Sequence, residues 1–115
     1  MRRAKQHKSN ASGERKTLQL CRQVERALMF VLSDSEDDIL RDLMIVAVVP
    51  APNAGRLLVT TTPMYEMIDP VEATARLQAA RGWLRTEIAS SIHRRKVPDL
   101  MFQCVTPDGQ GDASD

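Results

Sequence analysis

Side chains able to perform acid–base or covalent chemistry are scarce in this 115-residue chain. Of its two histidines, His7 sits in a polar N-terminal stretch and His93 adjoins the basic run Arg94-Arg95-Lys96. No carboxylate has an evident place to orient either imidazole, so a general base is hard to assemble. Cys21 and Cys104 fall within apolar patterns, far apart and without an activating neighbour, and read as buried thiols in a reducing compartment. Glu36, Asp37 and Asp38 offer oxygen ligands to a divalent cation. No EF-hand or catalytic carboxylate spacing accompanies them, so a solvated acidic loop is expected.

Basic charge is what the chain has in quantity, and it is segregated. Between 76 and 96, Arg76, Arg81, Arg85, Arg94, Arg95 and Lys96 stand against Glu87 alone. Between 1 and 16, Arg2, Arg3, Lys5, Lys8, Arg15 and Lys16 stand against Glu14 alone. Acid gathers at 34–42 and again from Asp99 onward, so the formal net charge of +1 hides the pattern. Such blocks suit a protein that meets a polyanion on one side, the plain alternative being charge that coats a solvated face.

The elements that must carry these residues are legible. Residues 1–13 are polar, basic and poor in large apolar side chains, and read as a flexible arm. From about Thr17, Cys21, Val24, Leu28, Val31 and Leu32 recur at helical spacing, which predicts an amphipathic helix ending near Leu32. The run 33–38 breaks the pattern. Leu43–Val49 is a near-continuous apolar strand, 50–55 carries turn chemistry, and 56–62 resumes a strand, giving a hairpin. Asp69-Pro70-Val71-Glu72 places a capping acid, a proline at the first helical position and an acid in the first turn. Ala73, Leu77, Ala80, Leu84, Ile88 and Ile92 then form one stripe, interrupted by Gly82, where a bend is expected before the helix stops ahead of Pro98. Leu100–Val105 is a last strand, and 106–115 a short acidic tail. The order predicts an α+β domain over 14–105, a three-stranded sheet with helices on one face. The last strand is expected beside the first, which would make the most apolar strand central. No apolar run approaches the roughly 20 residues needed to span a bilayer, and no secretory signal is evident.

The segment 77–102 resembles the C-terminal half of ribosome-binding factor A. That family has an Ala-x-Gly step, an apolar pair and Arg, then a helix ending in basic residues, then Val-Pro, an acid, Leu, any residue and Phe. Here these are Ala80-Arg81-Gly82, Trp83-Leu84-Arg85, Arg94-Arg95-Lys96 and Val97-Pro98-Asp99-Leu100-Met101-Phe102. The specific match covers about a quarter of the chain, and the element order α-β-β-α-α-β agrees from Thr17 to Val105. The family's hairpin and Asp-Pro signatures are replaced by Pro50-Ala51-Pro52-Asn53 and by the acidic run ending in Asp42, the pattern of a divergent member.

The resemblance implies a type II KH-like domain in which Ala-x-Gly replaces the usual Gly-x-x-Gly loop. It also implies a bacterial, cytoplasmic, non-catalytic assembly factor that binds the small (30S) ribosomal subunit during late maturation of 16S rRNA. No cofactor, metal, membrane or small-molecule substrate is expected, and a monomer is. On that reading Ala80, Gly82 and Arg85 form the centre of the RNA surface, and Arg81, Arg94, Arg95 and Lys96 supply charge. Arg2, Arg3, Lys5 and Lys8 of the arm track rRNA. Trp83 is expected to pack at the core edge, stacking on a base being the alternative. Two other readings stay open: a general single-stranded RNA-binding KH-like module, and a protein–protein adaptor or homodimer using a sheet edge.

Overall fold

Leu20, Val24, Leu28 and Leu32, four residues apart, form the buried stripe of helix α1 (Arg2–Ser33). The structure, a computed structural model, describes residues 2–93 and 96–106, with side chains from 13 onward. Helix α1 begins at Arg2, which corrects the expected start near Thr17 and gives helical backbone to the stretch read as a flexible arm, where Lys, Arg, Gln and Ala favour helix. Among the described side chains it meets the core only from Leu20. The basic side chains Arg2, Arg3, Lys5 and Lys8 lie outside the described ones.

The acidic run does more than solvate a loop, which corrects the expectation for 33–38. Ser35 is buried, and its hydroxyl accepts the Asp37 N–H at 3.0 Å. The Asp37 carboxylate in turn accepts the N–H groups of Ile39 and Leu40, at 2.9 and 3.2 Å. It is thus the N-cap of a one-turn helix, α2 (Asp38–Arg41), which delivers Leu40 to the core.

Strands β1 (Leu43–Pro50) and β2 (Arg56–Pro63) form the predicted antiparallel hairpin, with a bulge between Ile45 and Ala47. Helices α3 (Pro70–Ala79) and α4 (Arg81–Ile92) follow, then β3 (Asp99–Cys104). Asp69 caps α3 by accepting the Val71 N–H, and Pro70 occupies its first position, as the sequence requires.

The strand order is β1-β2-β3, with β3 parallel to β2. This corrects the placement of the last strand beside the first. A crossover through helices sets β3 next to the strand it left, and β2 accepts the central position despite its threonines because their hydroxyls are satisfied. Thr61 donates to the Gln103 carbonyl at 3.2 Å and Thr62 to the Val105 carbonyl at 2.8 Å. The apolar β1 is therefore an edge strand, with Met44, Val46 and Val49 exposed. The four helices among the described residues pack on the sheet and on one another, α1 over β1, α3 over β3, and α4 against α1. Leu57, Val59, Leu77, Leu84, Ile88 and Leu100 form the centre of the core. Among the described residues no helix is long and apolar enough to cross a membrane.

Candidate nucleic-acid interface

Helices α3 and α4 meet at Ala80, where φ −90° and ψ 3° leave helical geometry for one residue. Its N–H still closes α3 on the Arg76 carbonyl, and its carbonyl accepts the Leu84 N–H that opens α4. The bend therefore sits at Ala80, two residues ahead of the glycine that signalled it. Core packing explains the position. Leu77 on one side and Leu84 on the other are fully buried, and Ala80 packs against the same cluster between them. An alanine is small enough for the chain to turn without lifting either leucine.

No side chain caps α4, and its first turn holds no acidic residue. The leading amides of a helix have no partner within it and carry its positive dipole end. Arg81 adds a full positive charge at that end, an unfavourable place for a cation unless an anion joins it. Gly82 follows, exposed, with nothing within 4 Å of where a Cβ would stand. Neither helix–sheet packing nor backbone strain calls for glycine here, so its bareness faces solvent. Trp83 lies beside it at 44% exposure, more open than core-edge packing implies.

The basic residues of 76–96 separate into engaged and open groups. Arg76 bridges Asp37 at 2.9 Å and Glu72 at 3.2 Å, pinning α2 to α3. Burial by itself would raise the Asp37 carboxyl. The Arg76 hydrogen bond and charge, with the amides of Leu40 and Ile39, outweigh that and hold it below its ordinary value. Arg85 turns back on the fold: its guanidinium donates to the Val97 carbonyl at 2.9 Å and the Pro98 carbonyl at 3.3 Å, with Asp99 at 4.0 Å. It holds the chain that returns from α4 to β3, and its side chain remains 41% exposed. Arg81 and Lys96 are exposed with no carboxylate paired to either among the described residues. Arg94 and Arg95 lie outside the described residues. His93 ends α4 in the left-handed conformation at φ 52°, its N–H on the Ala89 carbonyl. Histidine is among the side chains that enter this region most readily.

Sequence reasoning thus placed the bend and its charge on one element. The fold contacts of Arg76 and Arg85 leave no sign in the sequence, and the exposure of Arg22 and Arg26 on the outer side of α1 is likewise visible only in the structure. These two share a stretch with Glu25, and a count of charge along the chain dilutes them.

Comparison with known proteins gives the same fold. The crystal structure of ribosome-binding factor A from Thermus thermophilus superposes with a TM-score of 0.68 at 25% sequence identity, covering 76% of this chain and 93% of that one. The α+β architecture with its three-stranded mixed sheet is shared with that protein, and the identity is that of a divergent relative. Era from Aquifex aeolicus gives a TM-score of 0.34 at 15% identity over 84% of this chain and 34% of its own, too remote to carry an argument. No protein-family model matches the chain, and no curated protein matches its sequence.

Proposed function

We propose that this chain is a non-catalytic bacterial assembly factor that binds the small ribosomal subunit and assists late maturation of its 16S rRNA, with the α3–α4 bend as the contact surface. The open backbone at Gly82, set at the uncapped positive end of α4 beside Arg81, is the observation that carries the reading. A phosphate approaching there meets a helix N-terminus with no side-chain cap, a cation and no Cβ, which is how helix N-termini hold anions. The fold shared with ribosome-binding factor A brings the ribosome into the reading. On this reading 14–105 is the working domain, residues 1–13 are a basic arm that follows rRNA, 106–115 is an acidic tail, and the protein acts as a cytoplasmic monomer. It would act through differential affinity, favouring an immature rRNA conformation and leaving when the mature form removes its site. Contacts to phosphate position a protein without selecting sequence, so the rRNA fold must supply the specificity.

Sedimentation of a cell lysate through a sucrose gradient at low magnesium tests this. The expected result is co-migration with free small subunits, absence from assembled ribosomes, and loss of the association as salt rises. A chain that stays at the top of the gradient at every salt concentration rejects the ribosomal partner. Efficient displacement from subunits by bulk RNA would instead identify a general single-stranded RNA-binding module. A second reading has its own observation, the uncovered β1 edge with Met44, Val46 and Val49 exposed. It expects a mass in solution that rises with concentration and is indifferent to RNA.

A further inference from the structure

We propose a second site for single-stranded RNA, in the groove between the outer side of α1 and the C-terminal end of α4, distinct from the bend. The groove encloses about 590 Å³ and is lined by Gln19, Arg22, Gln23, Arg26 and Phe30 from α1, with His93 at the end of α4 among its other residues. The α1 members, at 19, 22 and 23, 26 and 30, recur once per helical turn and form one stripe, turned away from the Leu20, Val24 and Leu28 stripe that enters the core.

Three features of this stripe fit an unpaired nucleotide chain. Arg22 and Arg26 are one turn apart, and neither is paired with a carboxylate among the described residues. No carboxylate lines the groove either, neighbouring Glu25 included. Two free guanidinium forks on one face suit consecutive phosphates, each offering bidentate geometry. Phe30, next along the stripe, is 76% exposed, a ring that the core leaves outside. A ring beside paired cations is a stacking platform for a base on a strand whose backbone the cations hold. The base must be unpaired for its face to be available. Gln19 and Gln23 add donors and acceptors that suit a base edge. An acidic peptide would use the arginines and leave the ring idle, so the combination favours RNA.

The groove and the bend lie at opposite ends of α4, a helix of 12 residues, so about 18 Å apart along its axis. The two sites can therefore be separated by experiment. A short fluorescein-labelled oligouridine, titrated with the full-length chain at low salt and read by anisotropy, provides the probe. Arg22→Ala with Arg26→Ala should weaken binding on the order of tenfold and lower its salt dependence. Phe30→Ala should weaken it with the salt dependence kept, and Phe30→Tyr should retain affinity. Arg22, Arg26 and Phe30 are all outside the core, so thermal melting checks that each variant stays folded. Unchanged affinity in the double arginine variant overturns the site. Displacement of the oligouridine by oligoaspartate as effectively as by unlabelled RNA also overturns it, in favour of an acidic protein partner. Arg81→Ala, measured in parallel, reports on the bend alone, so a loss confined to that variant rejects the groove and spares the proposed function.

Discussion

Gly82 and the arginines on either side of it separate, within the candidate interface, what holds the fold from what is free to bind. Nothing in the protein occupies the space of a Gly82 Cβ, and the residue lies within α4. Gly82→Ala is therefore expected to raise stability by about 0.5–1 kcal/mol while weakening RNA binding, because alanine restricts the unfolded chain and blocks a close phosphate. Thermal melts and anisotropy titrations on the same sample give both signs, and a gain in stability with unchanged binding removes Gly82 from the surface. Arg85→Ala should behave otherwise. Losing its two bonds to the carbonyls of Val97 and Pro98 should cost about 1–2 kcal/mol, discounted for the partial exposure of the side chain. Arg81→Ala should leave the melting temperature unchanged or slightly raised, since it removes a cation from the positive end of α4. The thiols are the quiet residues. Burial pushes Cys21 up, with Glu25 adding to it; burial also pushes Cys104 up, only partly offset by the Thr61 hydroxyl. Alkylation at neutral pH should be slow at both and should reach the half-buried Cys104 before the buried Cys21.

Between elements, the junction of α2 with α3 is where acidity matters most. Asp37 caps α2 and pairs with Arg76 of α3, and its carboxyl is held below its ordinary value. A depressed carboxyl contributes stability that is whole above its unfolded value and fades as the pH falls through the lower folded one. Urea melts across the acid range should show this decline in the native protein and a flatter curve in Asp37→Asn, which keeps a capping oxygen and loses the charge. An identical acid limb in both proteins would exclude Asp37 as its source. Asp37→Ala should cost a further amount, about 1 kcal/mol, for the lost cap. The α3–α4 bend shows the same economy of means. One residue out of helical geometry keeps Leu77 and Leu84 in a single core while exposing an uncapped helix end.

For the whole molecule, the proposed partner would be met on terms set by charge. The formal net charge is +1, yet Arg81, Lys96, Arg22 and Arg26 are exposed and without a carboxylate partner among the described residues. Affinity for single-stranded RNA should fall steeply as salt rises, and each arginine removed should lower the logarithmic slope by about 0.7. A slope near zero in the native protein would mean that phosphate is not the ligand. The sequence by itself determined every described element except α2, and most of their ends except the start of α1. Local signals do that work: the period of Cys21, Val24 and Leu28, the Asp69-Pro70 cap, and the apolar run from Leu43. It also placed the bend to within two residues, because Ala80-Arg81-Gly82 combines a small residue with a helix breaker. Only the tertiary structure decided which strand is central, since hydroxyl groups that make Thr61 and Thr62 look peripheral are satisfied by carbonyls more than 40 residues away. It alone decided which arginines are free. The partners of Arg76 and Arg85 include Asp37, Val97 and Pro98, whose nearness is a product of the fold and leaves no periodic trace along the chain.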